Sequence, residues 1–291
     1  MSTSRSDQTG QSATCPDPEP ACRGQLRTFL RTVDGVTIDA AYDPGPHPES
    51  VAHGTGGAPS GHPADLAIVV AHGFTGDLER PHVRRVAGVL ARYGAVVTFS
   101  FRGHGASGGR STVGDREVDD LAAAVAWARE LGHSRVVTVG FSMGGSVVLR
   151  HAARRDEGMH PDAVVAVSSP ARWFYRGTAP MRRLHWLVLR PEGRLVGRYG
   201  MRTRIDHRTW DPVPASPTES VPLIAPTPLL IVHGDQDAYF PLDHPRMLAD
   251  AAGDHAELWL EPGMGHAEHA SDDALLARIG AWAVSRAGAL A

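Results

Sequence analysis

Apolar residues recur along this chain in two rhythms, and their alternation predicts the architecture. Residues 26–31 and 36–42 have strand character on either side of Asp34-Gly35, a favoured turn pair, and predict an opening antiparallel hairpin. Residues 66–70 read as strand, after which Val83, Val86, Ala87 and Leu90 repeat at helical spacing. Residues 96–101 read as strand, Val118, Leu121, Ala122 and Val125 as helix, and 136–139 as strand again. A helical stretch runs from Gly145 to about Arg155, and 163–167 is the next strand. Two more short apolar runs follow at 229–232 and 258–260. Strands alternating with helices imply an α/β fold, with a parallel sheet covered on both faces and a site at the carboxyl ends of the strands.

Two stretches break the rhythm. Residues 43–65 are rich in Gly, Pro, Ser and His and read as a surface excursion; His47, His53 and His62 there lack the spacing of a metal site. Between the strand ending near Ser168 and the one beginning near Pro228 lies a segment too long for a simple connection. Residues 172–222 are therefore expected to form a cap inserted into a core of 25–171 and 223–291, with 1–24 as a disordered tail. The segment holds Trp173, Phe174, Tyr175, Trp186, Tyr199 and Trp210, with ten arginines from Arg172 to Arg208 against Glu192 and Asp206. Leu184, Leu187 and Val188 predict an amphipathic helix whose apolar face lines an acyl site. An apolar lid with a basic outer face and a solvated arginine face on a structural helix are both consistent with this pattern.

The strand at 136–139 runs into Gly140-Phe141-Ser142-Met143-Gly144, and a helix follows. A Gly-x-Ser-x-Gly in that position is a nucleophile elbow, a turn so sharp that the serine is strained and small neighbours are needed. It presents the Ser142 hydroxyl at a helix N-terminus, where backbone N–H groups favour developing negative charge. A serine hydroxyl is a weak nucleophile at neutral pH and needs a base with an orienting carboxylate. Past the run at 229–232, Asp237 fits the acid better than Asp235, which is still leaving the strand. Past 258–260, the loop Pro262-Gly263-Met264-Gly265-His266 supplies the base; His269, the runner-up, falls in the first turn of the following helix.

Ser142, Asp237 and His266 stand in the chain order of the α/β hydrolases. By these motifs the sequence from about Val36 to Arg286 resembles that superfamily, in particular its esterase, monoglyceride-lipase and serine-aminopeptidase-like branch. The resemblance implies that His72-Gly73-Phe74-Thr75-Gly76 is an oxyanion loop, with the Phe74 and Met143 N–H groups around the substrate carbonyl oxygen. Arg102-Gly103-His104-Gly105-Ala106-Ser107 resembles the family's turn after its next strand. One departure is Ser100, where the family usually carries aspartate. The resemblance implies a serine hydrolase acting on a small-molecule carboxylic ester through an acyl-enzyme, with no cofactor and no metal. Thioesterase, aminopeptidase and acyltransferase activity on the same triad are the neighbouring alternatives. A non-catalytic binding protein of this fold ranks below them, because all three triad members are present.

Composition narrows the picture further. Hydrophobic residues at 42% and charged residues at 21% are ordinary globular values. A net charge of −3 lacks the basic footprint of a nucleic-acid-binding protein. No apolar run reaches the length of about 20 residues that spans a bilayer. The polar first 24 residues lack the apolar centre of a secretory signal, and Cys15 and Cys22 both lie there, so a cytoplasmic location is expected. Every Lys/Arg position is arginine, which excludes lysine chemistry. Gly103-x-Gly105-x-x-Gly108 matches a dinucleotide fingerprint by spacing, yet no helix opens at Gly108 and no acid follows about 20 residues on. It is read as a turn.

Overall fold

The computed structural model describes residues 25–45, 65–154 and 158–288. The tail with Cys15 and Cys22, most of the Gly/Pro-rich excursion with its three histidines, and Arg155 lie outside the described residues. The strands are β1 (Leu26–Arg31), β2 (Thr37–Asp43), β3 (Leu66–Ala71), β4 (Ala95–Phe99), β5 (Arg135–Phe141), β6 (Ala163–Val167), β7 (Leu229–Gly234) and β8 (Ala256–Glu261). The helices are α1 (Pro81–Leu90), α2 (Glu117–Glu130), α3 (Met143–Arg154), α4 (Ala179–Leu189), α5 (Pro191–Gly200), α6 (Pro217–Ser220), α7 (Asp243–Ala252), α8 (Ala267–Ala270) and α9 (Asp273–Ala287). The strands form one sheet in the order β1-β2-β4-β3-β5-β6-β7-β8. The expected hairpin supplies its antiparallel edge, and all pairings from β4–β3 onward are parallel.

The side-chain period of two divides each central strand between two cores. On β3, Ala67, Val69 and Ala71 face the layer that includes Leu121, Val147 and Leu248 of α2, α3 and α7. Leu66, Ile68 and Val70 face Val86, Leu90, Ile279 and Trp282 of α1 and α9. Every residue of β3 through β7 except Arg135 is buried, so these strands read as unbroken apolar runs rather than alternating ones. Because β5, β6, β7 and β8 pair in parallel, their carboxyl ends lie on one side, where the candidate chemistry lies. Among the described residues no helix is long and apolar enough to cross a membrane.

The turn after β4 is a structural junction. Arg102 is almost fully buried and donates to Asp120 on α2 and to Asp34 in the β1–β2 turn. A buried guanidinium left without such partners would be strongly destabilising. Ser100, the departure noted above, keeps a hydrogen bond at its position: its Oγ accepts the Leu78 N–H at 3.1 Å. The glycine pattern here has a packing cause. Gly103 has φ +77°, and a Cβ on it would run into the Arg204 carbonyl. The Arg204 N–H and carbonyl bond Gly103 O and the Ser111 N–H, both at 2.7 Å, so the segment after α5 is stitched to this turn. Between β6 and β7 the chain forms α4, α5 and α6 and contributes nothing to the sheet. The predicted amphipathic helix is α4; α5, which follows it at once through Pro191, was not anticipated.

Candidate active site

β5 ends in the elbow, and Ser142 stands at its tip with φ +51°, a left-handed conformation that costs a non-glycine residue energy. The turn is held by the Ser142 N–H bonded to the Val167 carbonyl at 2.9 Å. Gly144 permits it, since a Cβ there would collide with the Ala71 carbonyl of the neighbouring strand. Met143 opens α3, so its N–H points out of the helix start beside the serine.

Three loops converge on the hydroxyl. His266, at the start of α8, places Nε2 2.9 Å from Ser142 Oγ and Nδ1 2.7 Å from Asp237 Oδ2. A carboxylate only accepts, so Nδ1 carries the proton and Nε2 presents its lone pair to the serine. Asp237, in the loop after β7, has no exposed side-chain surface. Its Oδ1 accepts the backbone N–H groups of Tyr239 at 2.8 Å and Phe240 at 3.1 Å. Burial by itself would raise this carboxyl, but the His266 bond and charge and the Phe240 N–H outweigh it and hold it below the usual aspartate range. Tyr239 stacks on the imidazole at 4.2 Å and fixes its plane. Asp235 instead accepts the Gly263 N–H at 2.7 Å and shapes the loop without reaching His266. His269 makes no hydrogen bond to the serine and packs on His82 at 3.8 Å between ring centroids.

The loop after β3 brings Phe74 against Ser142, and neither the Phe74 nor the Met143 N–H has a protein acceptor among the described residues. Side chains given no role of their own in the sequence motifs hold this loop. His72 bridges the Gly73 carbonyl at 2.7 Å and the Phe101 N–H at 3.0 Å. His104 accepts the Thr75 N–H at 3.3 Å, and Glu268 accepts the Gly73 N–H at 3.0 Å. Ser168 accepts the Ala267 N–H at 3.0 Å and steadies the chain beside His266. His72 and His104 lie inside motifs already singled out, and that was their available signal. A lone glutamate in a short helix gave none for Glu268.

Two cavities meet at Ser142. One, of about 400 Å³, lies over α3 and is lined by Met143, Trp173, Leu184, Val188 and Trp210 among others. The second, of about 750 Å³, lies on the imidazole side and touches Leu187, Tyr239, His266 and Glu268. Leu184 borders both, whereas Leu187 faces only the second, so the three apolar α4 residues do not share one pocket as expected. Helical geometry explains the split: Leu187 and Val188 lie on opposite flanks of Leu184, about 100° apart around the axis, so Leu184 borders both spaces and each flank faces one.

A family model described as "Alpha/beta hydrolase family" matches residues 68–279. A monoacylglycerol lipase of Mycolicibacterium smegmatis is 26% identical over 245 residues, covering 68% of this chain and 80% of its own length. Among solved structures, the Pyrococcus furiosus esterase Pf2001 superposes with a TM-score of 0.66 at 21% identity, covering 91% of this chain and 93% of its own. The hydrolase GrgF from Penicillium sp. sh18 gives 0.68 at 18% identity, covering 90% and 98%. At such identities the two structures establish a shared fold.

Proposed function

The chain belongs to the alpha/beta hydrolase family, and from that premise we propose that it is a serine esterase cleaving small carboxylic esters through an acyl-enzyme. The observation that carries this reading is the continuous hydrogen-bond chain from Asp237 through His266 to Ser142 at the mouth of two cavities. His266 Nε2 takes the proton as Ser142 Oγ attacks the ester carbonyl carbon. The Phe74 and Met143 N–H groups receive the oxyanion, a contribution of about 3–4 kcal/mol per donor in comparable sites. Asp237 holds the imidazole tautomer and balances the imidazolium charge. His266 then returns the proton to the departing alkoxide, and a water activated by the same nitrogen releases the acid.

The two cavities divide the substrate by the same logic. The leaving oxygen must lie within reach of His266 Nε2, so the alcohol occupies the cavity that contains the imidazole. The acyl chain then enters the first cavity, whose aromatic and aliphatic lining suits it. Residues 172–222 act as a cap, since α4 separates and roofs both spaces. The lipase among the relatives is consistent with an acyl ester of this kind. Rates on p-nitrophenyl esters of graded chain length, beside thioesters and aminoacyl amides, test the reading. Esters should be turned over fastest; a preference for amides or thioesters would overturn it.

A further inference from the structure

The histidine that is not the base belongs to a second cluster. His82, near the N-terminus of α1, packs against His269 of α8 with its ring tilted by 37°, and Glu268 lies beside both. His82 Nε2 is buried, has no hydrogen-bond partner and stands 3.9 Å from Glu268 Oε1. One donor atom from each of the three side chains lies within 4.8 Å of the other two. An unpartnered buried ring nitrogen is costly unless something occupies its lone pair.

We propose that His82, Glu268 and His269 form a binding site for a divalent transition-metal ion, zinc being the best match to the donors. Two imidazoles and one carboxylate are a donor set zinc accepts, with bonds of about 2.0–2.2 Å, which places donors about 3.4 Å apart around a tetrahedral ion. The donor atoms now lie within 4.8 Å of one another, so closing the cluster to that size takes shifts of up to about 1.4 Å. His269 is exposed and His82 is half-buried, so both rings have room to rotate. Glu268 spends one oxygen on the Gly73 N–H and keeps Oε2 for an ion. The neighbouring arginines are otherwise engaged: Arg80 pairs with Asp77, and Arg85 with Asp273 and the Glu268 and Ser271 carbonyls.

An ion there ties α1 to α8, the turn that begins at His266, and through Glu268 to the loop carrying Phe74. It would clamp the loops that carry Phe74 and His266 without touching Ser142, so the assignment stands whether or not the serine reacts.

The test is a zinc titration of the metal-free full-length chain against a chromophoric chelator, with thermal melts at each zinc level. The comparison is between wild type, H82A and H269A. The chain's 16 histidines offer other weak sites in every variant, so the difference between proteins is the readout. Wild type should bind one more zinc per chain than either variant. Its Tm should rise by about 5 °C at a hundredfold excess over Kd, a shift both variants lose. His269 is exposed, so H269A should keep the metal-free Tm and separates loss of a ligand from loss of the fold. Equal stoichiometry and equal Tm shifts in all three proteins would overturn the proposal.

Discussion

The Gly73 N–H donates to the Glu268 carboxylate at 3.0 Å, so the loop that presents Phe74 is fastened to the turn that presents His266. The residues are 195 apart in sequence, and the bond is buried. Any shift of the histidine loop is thereby transmitted to the oxyanion loop, and the base and the oxyanion donors keep their spacing together. Glu268→Gln retains an acceptor and should keep most activity. Glu268→Ala leaves the Gly73 N–H unpaired at a cost of about 1–3 kcal/mol and should lower kcat more than it raises KM. Equal activity in the two variants would mean that the bond does not position the site.

His266→Ala should reduce kcat on the order of 10⁶-fold, as should Ser142→Ala, and the double variant should be no worse, because triad members act as a unit. His269→Ala should keep near-full turnover, since its ring packs on His82 and not on the serine. Steady-state rates on one activated ester decide between them. Full activity in His266→Ala would remove it from the base role.

Asp237→Asn preserves shape but offers an amide where a carboxylate must accept from Nδ1, so turnover should fall by about 10⁴. Asp235→Asn should be mild, because that side chain bonds only the Gly263 N–H on an exposed loop. The reverse ranking would move the acid.

Most of this site was legible in the sequence because its constraints are local. The elbow needs glycine beside a strained serine, and the proposed acid and base sit on loops immediately after apolar strands. The sheet was legible for a similar reason: buried parallel strands leave unbroken β-branched runs such as 66–71. What stayed hidden depends on contacts far apart in the chain. Leu187 was grouped with Leu184 and Val188 because the sequence shows their spacing and not the direction of the pocket. Likewise, nothing near Glu268 announces Gly73, and Gly103 and Gly108 answer to Arg204 and Thr37 across the fold.

The cavity division makes a chain-length prediction. Leu184→Ser with Val188→Ser should raise KM for octanoyl over acetyl esters on the order of tenfold, since each buried methylene contributes about 0.8 kcal/mol. Leu187→Ser should leave that preference unchanged, because Leu187 faces the imidazole-side cavity. A loss of preference in Leu187→Ser alone would reverse the assignment of the two spaces.

Acid should destabilise the fold well above the carboxylate range. Burial, with neighbouring His104, pushes His72 down to about 3, and burial pushes His104 down to about 4. Between those values and about 6.5 the unfolded chain binds protons that the folded chain refuses, so stability rises with pH in that window and is lost on descending through it. Each ring contributes a slope of about 1.4 kcal/mol per pH unit once the unfolded chain is protonated. Urea midpoints at pH 7 and pH 5 should differ accordingly, and His104→Gln should flatten the dependence. A pH dependence that His104→Gln leaves unchanged would show that this ring is not held neutral.

The most direct measurement of the central claim is the intact mass of the protein after treatment with a fluorophosphonate, followed by peptide mapping. A single adduct on Ser142, absent from Ser142→Ala and strongly slowed in His266→Ala, is the predicted result. An unlabelled wild-type protein, or an adduct on any other residue, would contradict the account.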